Sequence, residues 1–591
     1  MRTSTRLLPV TMFFLLAACG DDGGTTATQG GASQTGATMT GATMTGPTTG
    51  GSDTATGTDT EQGTGTDSET GAPTTSTTST TTTSTTETTE TTGTSMPSSE
   101  SDGTSGAKFN VGGDTETTGT TGAPVDVCKA TDDDMGGVGD CTMEAPPDAF
   151  EPNVQWSWTG PGLEKESLVT PLVANLTDDN GDGEIDLCDT PDVIVMVTQF
   201  PNDGHIYVLD GATGTQHFMI PVALTWSINP AIGDIDNDGL PEIVAATGPG
   251  FGGPSAAIAF EHDGTVKWQS NTGISHSQGG AITLADLDND GNVEISMDKL
   301  IIDHNGQTVV TLPENQFAEN FTTVAADLNG DGDLEIVIGA NAYHHDGSVY
   351  YQNPNLERGF AQVANLDGDP EPEIMINSGS GLTLLEHTGA IKYQNQKPGG
   401  GSSWFRPGTV HDFDGDKVSE VATSASNSYV MFEGDLTVNW LAPVQDASGW
   451  AAGTAFDFDG NGVAEAMYAD ETNLYVFDGN GQPLLNVPRS ARTLAEYPVV
   501  ADVDNDGSAE IVVVSDAGFG GNQTAPTVQV IRDIEDRWIQ PRRIWNQHTY
   551  HVTNVREDGK IPQFEEPWWQ SLNTFRTNSQ IEGGEICIPP Q

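Results

Sequence analysis

Beyond residue 150, apolar and polar positions alternate in short runs broken by Gly, Asp and Asn, and helical periodicity is almost absent. Runs such as EIVAAT, EIVIGA and EIVVVS follow acid-rich turns and predict strands. A further strand ends at an acid and a turn, and the next ends on an aromatic, as in AAIAFEHDGTVKW, NAYHHDGSVYY, LTLLEHTGAIKY and YVMFEGDLTVNW. Counting the short apolar run that enters each acidic turn, every unit holds four strands.

Aligned on the acidic turns, the chain is self-similar. The copies read ANLTDDNGDGEID from Ala174, GDIDNDGLPEI from Gly233, ADLDNDGNVEI from Ala285 and ADLNGDGDLEI from Ala326. Four more follow: ANLDGDPEPEI from Ala364, HDFDGDKVSEV from His411, FDFDGNGVAEA from Phe456 and ADVDNDGSAEI from Ala501. Four strands per repeat is the unit of a propeller blade. The predicted fold is therefore all-β, a β-propeller of eight four-stranded blades, or seven if a terminal copy is atypical. The VQWSW segment around Val154 is expected to supply the outer strand of one blade and close the ring. The repeats resemble FG-GAP or VCBS repeats, the family of the integrin α-subunit propeller and many bacterial surface proteins, over about residues 150–540.

The acidic turns carry calcium chemistry. In the second copy Asp234, Asp236 and Asp238 alternate, Gly239 turns the chain, the Leu240 carbonyl offers an oxygen and Glu242 arrives at the ninth place. A hard cation takes six to eight such oxygens, and alternating carboxylates with a glycine at the sixth place let a short loop wrap one ion. Asp, Asn and Gly also favour plain turns, but a turn needs one or two of them rather than four converging acids. The third copy (Asp286, Asp288, Asp290, Glu294) and the eighth (Asp502, Asp504, Asp506, Glu510) match fully. The first (Asp178, Asn180, Asp182, Asp186), fourth (Asp327, Asn329, Asp331, Glu335) and seventh (Asp457, Asp459, Asn461, Glu465) each substitute one Asn. In the sixth (Asp412, Asp414, Asp416, Glu420) Lys417 replaces the glycine, and in the fifth (Asn365, Asp367, Asp369, Glu373) Pro370 does, which bars positive φ. The expected cofactor is calcium at several structural sites, with the fifth loop altered or empty.

Charge agrees with this. With 21 basic against 85 acidic side chains and a net charge of −64, the chain repels nucleic acid and anionic membrane surfaces. At the start, residues 1–18 read as a signal peptide: Arg2 and Arg6, then an apolar stretch from Leu7 to Leu16 too short to span a bilayer. Leu16, Ala17, Ala18, Cys19 and Gly20 resemble a bacterial lipobox, which implies cleavage before Cys19 and lipidation of its sulfur. Gly20 in place of the acid that marks inner-membrane retention implies the outer membrane or cell surface. Residues 19–125 read as a disordered tether, since Gly20 to Lys108 holds no Ile, Leu, Val, Phe, Tyr or Trp from which to build a core. Residues 126–149 form a cysteine-containing entry segment. An exported chain is expected to oxidise its four remaining cysteines. Cys128 and Cys141, close in sequence, are expected to close a small loop, leaving Cys188 and Cys587 to join the first repeat to the last, though other connectivities stay open.

Strand reversal puts the acidic loops and DG turns on one face and the inter-blade connections on the other. In integrins that opposite face binds ligands. Trp226, His276, Trp404, Arg406, Trp450 and Tyr497 enter the innermost strands there and form a possible ligand face, with inter-blade packing as the plainer reading. Residues 541–591 read as a closing segment packed on the propeller, although Arg542, Arg543, His548 and His551 also allow a metal or catalytic role. No nucleophile, metalloprotease or nucleotide-loop motif occurs in a convincing context. The sequence thus favours a calcium-stabilised surface binding or adhesion protein, not an enzyme, recognising an extracellular protein or glycan. A polysaccharide hydrolase or lyase with its site in the central channel, and a purely architectural envelope lipoprotein, are the alternatives.

Overall fold

Eight four-stranded antiparallel sheets succeed one another around a ring in the computed structural model, which describes residues 128–130, 137, 139–147, 149–250, 253–276, 278–314, 319–446, 450–518 and 525–588. The signal peptide, Cys19 and the tether lie outside the described residues. Blades 1 to 7 each use four consecutive strands; in blade 2 these are Ala231–Gly233, Glu242–Thr247, Gly253–Phe260 and Val266–His276. Blade 8 takes Val499–Ala501, Glu510–Val514 and Val528–Asp533 from its own repeat and its outer strand from Pro152–Trp158, which pairs antiparallel with Val528–Asp533. The ring therefore closes between the two ends of the domain, as the VQWSW segment predicts.

Burial falls from the axis outwards. First strands such as Leu172–Ala174 and Thr409–His411 are buried throughout, whereas outer strands such as Gln216–Met219 and Ile391–Gln396 are largely exposed. This gradient explains why the second-strand runs are almost uniformly apolar while the outer strands alternate.

In most blades an aromatic on the outer strand joins the next blade. Trp268 of blade 2 lies on the turn glycine Gly306 of blade 3 and donates its Nε1–H to His304 O at 2.7 Å. Trp156 on Gly214, Tyr351 on Gly389 and Trp440 on Gly481 repeat the contact around the ring. Gly306 has φ +81°, and a Cβ there would lie 2.7 Å from Trp268 Cε3. Gly306→Val is expected to cost about 2–4 kcal/mol in denaturant unfolding, from strain and lost ring contact together.

The disulfides differ from the expected pairing. Cys128 joins Cys188 and Cys141 joins Cys587, with Cα–Cα separations of 4.9 and 5.0 Å. Backbone bonding decides this: Leu187 N–H donates to Cys128 O, while Cys141 N–H donates to Ile588 O. The entry segment is thereby stitched to blade 1 at one cysteine and to the chain's far end at the other.

Past blade 8 the chain turns into the ring. Trp545 exchanges backbone hydrogen bonds with Val173 of blade 1, Ile232 N–H of blade 2 donates to Asn546 O, and Leu284 N–H of blade 3 donates to Gln547 Oε1. Further on, Trp568 Nε1–H donates to Val363 O of blade 5 and Phe575 exchanges bonds with Val410 of blade 6. Thr577 bridges Ala455 of blade 7, and Asn578 Nδ2 donates to Val500 O of blade 8. The segment therefore fills the space enclosed by the first strands as a plug. Arg542, Arg576, His548 and His551 are interior parts, whereas Arg543 is half-buried. Arg542, 1% exposed, donates to Val552 O at 2.7 Å and to Tyr550 Oη at 3.0 Å. His551 sits 2.6 Å from Glu565 Oε1 and stacks on Phe575, and burial beside Arg576 drives the pKa of His548 well below the ordinary imidazole value.

Candidate functional site

Each acidic loop joins the first strand of a blade to the second, and its hydrogen bonds follow one rule. In blade 2 the first aspartate accepts backbone N–H groups from the fifth and sixth places, Asp238 to Asp234 Oδ1 at 3.1 Å and Gly239 to Oδ2 at 3.0 Å. The ninth-place acid opens the second strand and accepts the N–H of the second loop residue. Ile235 donates to Glu242, Leu287 to Glu294, Leu328 to Glu335, Leu366 to Glu373, Phe413 to Glu420, Phe458 to Glu465 and Val503 to Glu510, at 2.6–3.0 Å. A glutamate, half-buried in blade 3 and buried in the others, is thus aimed into every one of these loops, its second oxygen left for another partner.

Blade 1 departs from the expected register. Ala174 pairs with Asp192, and Leu176 N–H donates to Asp192 Oδ2 at 2.9 Å, so Asp192 is the strand-leading acid in place of Asp186. The loop is longer: Asp178, Asn180 and Asp182 still form a run of side-chain-to-backbone turns, but Asp186 accepts from Cys188 N–H beside the disulfide. Asp192 instead faces His217, whose Nε2 lies 3.5–3.8 Å from Asp179, Asp192 and Asp210.

What meets the remaining oxygens varies from blade to blade. In blade 2, a full match by sequence, Lys267 Nζ stands 2.6 Å from Asp236 Oδ2, 3.1 Å from Glu242 Oε1 and 3.1 Å from Glu261 Oε2. In blade 5 Lys392 does the same with Asp367, Glu373 and Glu386, while Pro370 withholds the sixth-place N–H that the other loops use. In blade 4, Asn329 and His344 both reach Glu335 Oε1. Blades 6 and 8 keep bare oxygens: Glu420 Oε1, Asp502 Oδ1, Asp504 Oδ1 and Glu510 Oε1 are buried without a hydrogen-bond partner. In blade 6 one oxygen from each of Asp412, Asp414, Asp416 and Glu420 falls within 4.8 Å of the others, and Lys417 takes φ +75° while donating its N–H to Asp412 Oδ2.

This convergence has an electrostatic consequence. Burial first, then the neighbouring carboxylates, pushes Glu294 and Asp502 up to about 8 and Glu420 up to about 9. Burial likewise raises Asp457 to about 7 and Glu465 well above the ordinary range. The donor sets of blades 3, 6, 7 and 8 therefore fit a hard divalent cation, which would supply the missing positive charge.

The FG-GAP-like repeat family matches residues 234–296 and the FG-GAP repeat family matches residues 320–351. The eight-bladed β-propeller thus carries FG-GAP repeats. No curated protein matches it by sequence. Among solved structures, the FG-GAP propeller is similar to the biofilm matrix protein Bap1 of V. cholerae, at 21% identity and TM-score 0.64, covering 74% of this chain and 100% of that one. A Bacillus licheniformis rhamnogalacturonan lyase is also similar, at 14% identity and TM-score 0.36, covering 76% of this chain and 98% of that one. No helix among the described residues is long and apolar enough to cross a membrane.

On the face away from the acidic loops, most of the possible ligand residues are packing residues. Trp226 is buried against Phe200 and donates to Pro201 O, and Trp404 donates to Gly400 O from a fully buried position. Arg406 is 1% exposed and held by Asp446, which also accepts from Tyr468 Oη and Thr493 Oγ1. Tyr497 is equally enclosed and donates to His548 O. Four of the six residues thus offer no surface to a ligand, and the His276 side chain lies outside the described residues. Trp450 alone stays half-exposed. With Thr322, Phe360, Leu494 and His548 of the plug it lines a small gap.

Proposed function

We propose that the protein is an exported, calcium-stabilised binding protein, held at the cell surface through Cys19 and its Thr/Gly/Ser-rich tether. It recognises an extracellular protein or glycan with the loop-bearing face opposite the acidic loops. The observation that carries this reading is the plug: a segment bonded to the first strands of seven blades occupies the channel in which a propeller hydrolase or lyase would hold its substrate. Recognition then falls to the rim and mouth, where Trp450 remains accessible. Likeness in fold to a biofilm matrix protein supports a matrix or surface partner. Calcium would be held by Asp286, Asp288, Asp290 and Glu294 in blade 3, and by the equivalent donors of blades 6, 7 and 8. It would neutralise the converging acids and so stiffen the loop face against the plug.

The test is a retention screen of the full chain against glycans, extracellular matrix proteins and whole cells, with millimolar calcium and with chelator. Calcium-dependent retention of a partner is the expected result. Turnover of a glycan in the same assay would overturn the reading.

A further inference from the structure

In every blade the outer strand carries a bulge, and in blades 1 to 7 the extra residue is the second of that strand, just past the turn. Val266 pairs with Phe260 and Trp268 with Ala259, which leaves Lys267 extra; Ile391 pairs with Leu385 and Tyr393 with Leu384, which leaves Lys392 extra. The same registers single out His217, Val309, Tyr350, Asn439, Leu484 and Gln155 in blades 1, 3, 4, 6, 7 and 8. A bulge re-aims one side chain without disturbing the rest of the pairing. Here the extra residue reaches the blade's own acidic loop: Lys267 and Lys392 as described, Asn439 Nδ2 on Asp414 Oδ2 at 3.0 Å, Gln155 Nε2 on Asp504 Oδ2 at 2.6 Å, and His217 among three aspartates.

We infer that this bulge residue decides which cation each blade's acidic loop holds, and that Lys267 and Lys392 reserve blades 2 and 5 for their own ammonium groups against metal. The inference rests on the calcium reading of the open loops. In blade 2 the ammonium contacts Asp236 and Glu242, two of the loop's would-be ligands, together with Glu261 from the adjoining turn. A divalent ion could enter only by driving a lysine out of three carboxylates and leaving a cation beside itself. An amide at the same place does the opposite. It bonds the second acid and leaves the ninth-place glutamate oxygen, Glu420 Oε1 or Glu510 Oε1, bare for an incoming ion. Blades 3 and 7 place the apolar Val309 and Leu484 there, which supply no charge at all. The loop motif and the bulge residue together, rather than the motif alone, determine metal occupancy.

Equilibrium dialysis of the full chain against calcium alone counts the ions. Lys267→Gln, which copies the glutamine of blade 8, is expected to bind one more ion than the native protein, and Val309→Lys one fewer. Each variant is first shown to melt cooperatively in chelator, and the Val309 variant keeps the test open should the Lys267 variant not fold. An unchanged count in a folded variant of a calcium-binding native protein overturns the inference. No ion on the native protein but one on Lys267→Gln would overturn the calcium reading of the open loops while upholding the role of the lysine. No ion on either overturns both.

Discussion

Chelation of calcium is expected to lower the melting temperature of the full chain by on the order of 5–10 °C at pH 7.5. An extracellular-type site with a dissociation constant of about 0.1–1 mM contributes roughly 0.4–1.4 kcal/mol at millimolar calcium, and four open loops sum to several kcal/mol. One kcal/mol shifts the midpoint of a domain this large by about 2 °C. The pH profile gives an independent sign. Glu294, Asp502 and Glu420 have folded-state pKa values of about 8, 8 and 9, above the ordinary carboxylate range they take when unfolded. In chelator the folded state therefore binds more protons than the unfolded state between about pH 4.5 and 9, and stability falls as pH rises through that window. Bound calcium holds the same groups ionised, so the slope should flatten. A melting curve unmoved by chelator, with no pH slope without metal, would refute structural calcium.

Ending the chain after Gln540 is expected to abolish cooperative unfolding. The truncation strands the N–H groups of Val173, Ile232 and Val410, which donate to Trp545, Asn546 and Phe575. Each unsatisfied buried group costs about 1–3 kcal/mol. It also removes Trp545, Tyr550, Trp568 and Phe575, all at most 1% exposed, where a large buried aromatic cut to alanine costs about 3–5 kcal/mol. The sum exceeds the 5–15 kcal/mol net stability of a typical domain. Near-ultraviolet circular dichroism and a thermal melt read the outcome. A truncated protein that melts cooperatively within a few degrees of the full chain would show that the plug is an accessory rather than part of the core.

The plug also marks where reading the chain stops. Arg542, His548 and His551 are chemically suggestive in sequence, and nothing in WIQPRRIWNQHTYHVTNV distinguishes a catalytic cluster from an interior one. Burial decides it, through partners such as Val552 O and Glu565 that lie ten or more residues away. Asp186 departs from its expected place for a related reason: an insertion before Asp192 keeps the acidic spacing of a ninth-place ligand while the strand begins later. The lysines were more legible. VKW and IKY place Lys267 and Lys392 just before the outer-strand aromatic, and that offset from the DG-type turn is visible in the chain. Their meaning was not visible, because it depends on a bulge.

Local periodicity was enough to determine the strands, the eight repeats, the ring closure by the segment around Val154 and the acid-bearing loops, since alternation and turn chemistry are nearest-neighbour properties that recur in every copy. Only the tertiary structure decided the disulfide pairing, the burial of Trp226, Trp404, Arg406 and Tyr497, the filling of the channel and the blades whose acids already hold a cation. Each of these is a contact between residues far apart in the chain or on different strands of a blade, and no spacing rule within the chain encodes which distant group arrives.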